Sequence, residues 1–231
     1  MVSFAEGGVV GFVAGKARQY LELVKDGIRE LEEWDPEEAG DDDEDDLFWE
    51  DGDNLESKGK ENKNESNDES SDDEETASSV ANLQSEKSNL LRLLNPIAQI
   101  YPAIISHRLK SKTSPSSSTS NDQKQNQQRK PTLSSAQISQ LNRLLQHLKE
   151  LPNLVDEAAG SLYDYDIDNA TVYAKKLCKC AFSAAEVART PFIENSNGEK
   201  EIADEEDKFP KWADTWMRVI DGITRSKAEG S

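Results

Sequence analysis

The longest sustained helical pattern in the sequence lies between Leu133 and Asp166. Apolar residues recur there at intervals of three and four, which is the spacing of one face of an α-helix. They are Ile138, Leu141, Leu145, Leu148, Val155, Ala159 and Leu162. An apolar stripe of this kind is not stable alone in water, so we expect it to face a single partner surface made by the rest of the chain.

The start and the middle of this segment carry local signals. Ser134 followed by Gln137 is typical of a capping box, in which the two side chains satisfy amide protons at the helix start. Pro152 interrupts the stripe. Because proline removes one hydrogen bond and crowds the preceding turn, we expect it to kink the helix or to divide it in two.

Four further segments have the same periodicity, and no segment alternates like a β-strand. The first contains Val10, Val13, Ala17, Tyr20, Val24, Gly27, Leu31 and Trp34, flanked by Leu21 and Ile28. The second contains Leu83, Leu90, Leu94, Ile97, Tyr101 and Ile104. The third contains Tyr173, Leu177, Cys180, Ala184 and Val187, and the fourth contains Phe209, Ala213, Trp216, Ile220 and Ile223. The pattern predicts an all-α bundle of about five amphipathic helices.

Three smaller features modify these helices. Lys87 alone breaks the apolar set of the second segment, and Pro96 and Pro102 predict kinks or an internal restart there. Asp168 or Asn169 is the expected cap of the third segment.

The segments define the organisation of the chain. Residues 1–34 form a first helix without a recognisable cap, which we interpret as continuing a helix that a longer protein starts earlier. Residues 35–78 form a disordered acidic segment, and 79–112 form the next bundle helix. A Ser- and Gln-rich linker at 113–132 leads to the remaining helices at 133–231, which include an acidic loop at 193–207.

The negative charge is concentrated in one place. The chain has 27 Lys and Arg against 46 Asp and Glu, a net charge of -19. Residues 35–76 hold 21 acidic residues and 3 lysines, a net charge of -18, which leaves about -1 for the remainder. No concentrated basic face is evident in the sequence, so we expect no nucleic-acid partner.

Two features of the acidic segment suggest regulation. Leu47, Phe48 and Trp49 stand between acidic runs, as in short motifs that dock on basic, apolar grooves. Ser66, Ser70 and Ser71 each have an acidic residue three positions later, which suits acid-directed kinases. The alternative is that the segment only solvates the chain.

The sequence offers little for catalysis. The histidines, His107 and His147, do not form the paired Glu-x-x-His motifs of a di-metal bundle, and we find no phosphate loop, nucleophile elbow or zinc spacing. Cys178 and Cys180 lie on separate sides of a helix, so we expect them to be reduced. We therefore expect a protein that is not an enzyme and has no metal or cofactor.

The sequence also bears on where the protein is located in the cell and on the role of the basic residues that end the second segment. No apolar run is long enough to span a membrane, and we expect a cytoplasmic and nuclear protein. The basic residues from His107 to Lys112 favour a helix C-terminus, or alternatively a patch for nuclear import or phosphate contact.

Three separated strings, Leu23–Trp34, Ile100–Lys110 and Leu144–Tyr163, together resemble the cyclin-D-binding protein family, the adaptor- and cyclin-D-interacting proteins. The residues that carry the resemblance include Trp34, Tyr101, Pro102, Ile104, Ile105, Arg108 and Leu109. Members are helical proteins related to vinculin and catenin bundles. They have an additional helical domain upstream, so the chain resembles a truncated or partial member.

The resemblance implies a cell-cycle regulator that moves between cytoplasm and nucleus and binds D-type cyclins and helix-loop-helix regulators. Two alternatives stay open. The acidic segment is also typical of a chaperone-like binder of basic proteins such as histones, and the bundle is compatible with a cytoskeletal adaptor of the vinculin and catenin type. The oligomeric state is left open.

Overall fold

The computed structural model describes residues 8–37, 72–110, 133–192 and 207–229. The helices are α1 (Gly8–Glu33), α2 (Asp72–Ala98), α3 (Ile100–Ile104), α4 (Ser135–Tyr163), α5 (Ile167–Ala188) and α6 (Lys208–Glu229), and a π-helical turn (Ile105–Leu109) continues α3. The described ranges contain no strand, which confirms the predicted all-α bundle. Among these helices, none has the length and apolar character that crossing a membrane requires.

Helix α4 is the centre of the bundle, because it packs against both α5 and α1. Its buried residues therefore cover more than one stripe: Leu141, Leu144, Leu148, Leu151, Pro152, Leu154, Val155, Ala158, Ala159 and Leu162. The expectation of one stripe facing a single surface is wrong, since two neighbouring helices require two apolar faces. Ile138, which the stripe included, is exposed.

Two close approaches hold the central helices. A Cβ added to Gly27 of α1 would lie 3.0 Å from Cγ1 of Val155 in α4, so the glycine allows these two helices to touch. Helix α5 presents a buried face rich in small residues: Ala170, Leu177, Cys178, Ala181, Ala184, Ala185 and Ala188. The predicted stripe of α5 matches this face in part: Leu177 and Ala184 are buried, whereas Tyr173, Cys180 and Val187 are only half-buried.

The helix ends match the sequence signals in part. Ser134 and Gln137 form the predicted capping box. Asp166, rather than Asp168 or Asn169, caps α5, since its side chain accepts a hydrogen bond from the amide of Asn169. Helix α2 begins at Asp72, ahead of the predicted start of the second segment.

Pro152 does not divide α4, which runs without interruption from Ser135 to Tyr163. Proline lacks the N–H that would bond to the carbonyl of Leu148 one turn earlier. The hydroxyl of Tyr101 in α3 donates a hydrogen bond to that carbonyl at 2.7 Å. A buried side chain from another helix therefore replaces the bond that proline removes.

The break between α2 and α3 also lies one turn before a proline. Helix α2 ends at Ala98, and Pro102, four residues later, has no N–H to donate to the carbonyl of Ala98. The carbonyl of Pro96 accepts a hydrogen bond from the amide of Gln99 at 3.1 Å and another from Nε1 of Trp216 at 2.7 Å. Helix α6 is thereby fixed to the break.

Helices α1 and α5 also end on side chains from other elements. Lys87 of α2 donates to the carbonyls of Glu32 and Trp34 at the end of α1, which explains a lysine within an apolar set. At the end of α5, Gln140 and Arg108 donate to carbonyls between Val187 and Thr190. We call these three side chains, together with Tyr101 and Trp216 described above, the cross-helix caps. They are Lys87, Tyr101, Arg108, Gln140 and Trp216.

Candidate functional site

An open groove of about 910 Å³ lies between α4 and α5. We name it the α4–α5 groove and define it by its lining. From α4 come Gln140, Arg143 and His147, and from α5 and the residues after it come Lys175, Cys178, Lys179, Phe182, Ser183, Glu186, Val187 and Thr190.

The groove follows from helical spacing on two antiparallel helices. Gln140, Arg143 and His147 are three and four residues apart, so they share one face of α4. On α5, Lys175, Lys179 and Phe182 keep the same spacing. The polar members of these two sets lie beside the buried faces and form two walls that are open to solvent.

The floor and one end of the groove are fixed by packing. Phe182 is half-buried, and its ring meets the ring of Trp216 edge-on, with centroids 5.8 Å apart. At the end, Nε2 of Gln140 donates to the carbonyl of Val187 at 2.8 Å and to that of Thr190 at 3.2 Å. The apolar floor at Phe182 is therefore packed against α6, and the walls are polar.

The walls carry unpaired positive charge. The side chains of Arg143, Lys175 and Lys179 form no ion pair or hydrogen bond with the part of the chain that the structure describes. The opposing carboxylate, Glu186, is paired with Nε of Arg189 at 2.8 Å. These three cations come from two helices, two from α5 and one from α4.

The imidazole of His147 and the thiol of Cys178 line the groove, and Cys180 lies next to His147. Burial, followed by the charge of Arg143, lowers the pKa of His147, so the ring is neutral at neutral pH. Sγ of Cys180 lies 4.0 Å from Nδ1 of His147 and 3.4 Å from its carbonyl oxygen. Burial raises the pKa of the Cys180 thiol to about 11, and that of Cys178 to about 11 as well.

These values describe protonated thiols, and a thiol rather than a thiolate is a weak nucleophile and metal ligand. Both cysteines are free, as the sequence predicted. Across residues 8–37, 72–110, 133–192 and 207–229, no cluster of three His, Cys, Asp or Glu side chains could hold a metal ion. The chemistry of the groove is suited to binding through charge and an apolar floor.

The residues of the family resemblance lie elsewhere, mostly in the core. Tyr101, Ile104, Arg108 and Leu109 are buried, Trp34 and Ile105 are half-buried, and Pro102 is exposed. Trp34 packs edge-on against Tyr163 with ring centroids 5.0 Å apart. Pro102 lines a second, shallower groove of about 420 Å³ between α3 and α6. None of the seven lines the α4–α5 groove.

Arg108 shows why a basic string need not be a contact surface. Its guanidinium makes two hydrogen bonds to the carboxylate of Asp207, at 2.7 and 2.9 Å, and lies 4.6 Å from the ring centre of Phe209. The same pairing lowers the pKa of Asp207. The alternative of nuclear import or phosphate contact is therefore wrong for Arg108, because its charge is buried and already neutralised.

Several candidates fall outside the described residues. These are the docking motif Leu47, Phe48 and Trp49 and the phosphorylation candidates Ser66, Ser70 and Ser71. What the sequence reasoning missed was the α4–α5 groove. The available signal was the run from Asn169 to Ala185, which contains Lys175, Lys176 and Lys179 and no acidic residue.

With this geometry in hand, comparison of the chain with family models, curated proteins and solved structures finds no match. The proposal for function therefore rests on the geometry of the α4–α5 groove and on the sequence.

Proposed function

We propose that this protein is a non-enzymatic interaction module that regulates the cell cycle by binding partner proteins through its helical surface. The observation that supports it best is the α4–α5 groove, which combines an apolar floor at Phe182 with unpaired cations on both walls. Grooves between two helices receive an amphipathic helix from a partner, whose apolar face fills the floor. Binding of this kind sequesters the partner.

The partners to examine first are D-type cyclins and helix-loop-helix regulators. The support for them is the resemblance of the three helical strings, and both classes present helices on their surfaces. Location in both cytoplasm and nucleus belongs to the same proposal.

The test is a direct binding measurement with purified proteins. The intact chain, the charge-reversed groove variant Arg143→Glu/Lys179→Glu and a control variant, Arg18→Glu/Arg225→Glu, are titrated against a D-type cyclin and a helix-loop-helix protein. The control changes the net charge equally at exposed positions that do not line the groove.

We expect the groove variant to bind at least tenfold more weakly and the control to bind like the intact chain. Circular dichroism of both variants verifies that the bundle is folded. Absence of binding of either partner class to the intact chain would refute the proposal.

A second function is favoured by one observation, the net charge of -18 in residues 35–76. It is the binding of basic proteins such as histones. Because exposed charges are screened by salt, that binding would fall steeply with ionic strength and would disappear when residues 38–71 are replaced by a Gly-Ser linker. Binding through the groove would persist after this replacement.

A further inference from the structure

We infer that the α4–α5 groove recognises a particular class of partner segment, an amphipathic helix whose apolar stripe is flanked by acidic residues. This inference rests on the proposed function and specifies the partner of that same site. It is carried by the length of the groove, the distribution of its charges and the nature of its floor.

The length of the groove matches a short helix. Along α5 the lining extends from Lys175 to Val187, twelve helical steps or about 18 Å, and it continues to Thr190 just beyond the helix. A ligand helix of about 15 residues covers the lining as far as Thr190. Its apolar stripe would lie against Phe182 and Val187, the aromatic and aliphatic side chains of the lining.

The charges are distributed along the groove and on both walls. Lys175 and Lys179 are one helical turn apart on α5. On α4, Arg143 lies one turn from Gln140 on one side and one turn from His147 on the other. Gln140 bonds to Val187 of α5, and His147 contacts Cys180 of α5. Arg143 therefore lies opposite the part of α5 that follows Lys179, and acidic side chains on both flanks of a bound helix would find a cation.

The site favours a protein helix over a nucleic acid. Nucleic-acid binding needs many phosphate contacts, whereas the groove offers three cations on a chain whose net charge is -19. A bound helix needs only a few charges, because burial of its apolar stripe on the floor supplies most of the affinity. Charge complementarity then selects acidic helices and rejects basic ones.

The test uses a fluorescein-labelled 15-residue peptide, about the length worked out above, with a leucine stripe flanked by glutamates. A matched peptide has lysine at every glutamate position. Both are titrated by fluorescence anisotropy against the intact chain, Arg143→Glu/Lys179→Glu and the control Arg18→Glu/Arg225→Glu. A single-stranded DNA of the same net charge as the acidic peptide is the third probe.

The expected result is binding of the acidic peptide to the intact chain and the control, at least tenfold weaker binding to the groove variant, and a gain of helical circular dichroism in the peptide. Equal binding of the acidic peptide to the groove variant and the control would overturn the inference. Equal binding of the DNA would also overturn it, in favour of a general anion site.

A further variant, with residues 38–71 replaced by a Gly-Ser linker, identifies another occupant. If the acidic peptide binds only this variant, the chain's own acidic segment fills the groove, which overturns the assignment to a partner. The proposed function is judged separately. If a cyclin or a helix-loop-helix protein binds the intact chain and the groove variant equally and the acidic peptide does not bind, this inference is refuted and the proposed function is not.

Discussion

Replacing Tyr101 by phenylalanine removes one hydroxyl from the interior of the bundle without changing its shape. That hydroxyl donates to the carbonyl of Leu148 at 2.7 Å, in place of the N–H that Pro152 lacks. Burial raises the pKa of Tyr101 well above its ordinary value, so the hydroxyl remains a donor throughout the accessible pH range. In the variant a buried carbonyl loses this partner.

The magnitude follows from the cost of an unpaired buried group, about 1–3 kcal/mol. We expect Tyr101→Phe to lower the free energy of unfolding by about 2 kcal/mol. With a urea dependence of about 2 kcal/mol/M, the unfolding midpoint would fall by about 1 M. Urea titration followed by far-UV circular dichroism measures this shift.

A second background tests the explanation itself. Pro152→Ala returns an N–H to α4, and this N–H can bond to the carbonyl of Leu148. In that background the loss of the Tyr101 hydroxyl should cost less, with a coupling free energy of about 1 kcal/mol in the double-mutant cycle. Tyr165→Phe, at an exposed tyrosine, is the matched control and should change stability by less than about 0.5 kcal/mol.

Additivity would refute this reasoning. If Tyr101→Phe costs the same with proline and with alanine at position 152, to within about 0.5 kcal/mol, the hydroxyl does not replace the missing helical bond.

Three further outcomes follow from the structure. Arg108→Met should lower the free energy of unfolding by on the order of 3 kcal/mol, because it leaves carbonyls and a carboxylate without their donor, and urea titration measures it. Gly27→Ala should destabilise by about 1 kcal/mol, since its Cβ would lie 3.0 Å from Val155, whereas Gly15→Ala, with open space, should stabilise by up to about 1 kcal/mol. The pKa of His147 is lower in the folded protein than in the unfolded chain, so the unfolded chain takes up the proton first and the intact protein loses stability as pH falls below 6.5. The variant His147→Gln should lack this pH dependence of the free energy of unfolding.

Each outcome has a result that contradicts it. Arg108→Lys keeps the charge but not the paired geometry, and a lysine variant as stable as the intact protein would show that the fork of donors is unimportant. Equal effects at Gly27 and Gly15 would remove the argument from close approach. For His147, urea midpoints measured between pH 5 and 8 that stay parallel in variant and intact protein would contradict the assigned burial.

Local signals in the sequence predicted helices well, because their information lies within one or two turns. Ser134 and Gln137 are three residues apart, and their capping box could be read directly. Periodicity also located the buried face of α6. It was less accurate for α5, where Leu177 and Ala184 are buried but Tyr173, Cys180 and Val187 are only half-buried.

The cross-helix caps could not be predicted in the same way. Tyr101 and its acceptor are 47 residues apart, and Trp216 and its acceptor are 120 residues apart. Lys87 looked like an exception to an apolar pattern until its partners at the end of α1 were known. The α4–α5 groove has the same origin, because Arg143 joins Lys175 and Lys179 only when two helices pack.

The cross-helix caps also fix how far each helix is shifted along its axis relative to its neighbour. Faces of leucine and alanine repeat every turn, so two such helices could slide by about 5.4 Å and still bury similar surface. A hydrogen bond from Trp216 to one carbonyl of α2, or from Tyr101 to one carbonyl of α4, has no second partner at that distance. The polar interior therefore selects one register among several that the apolar faces alone would accept, and for α4 and α5 the bonds from Gln140 to the carbonyls of Val187 and Thr190 do this.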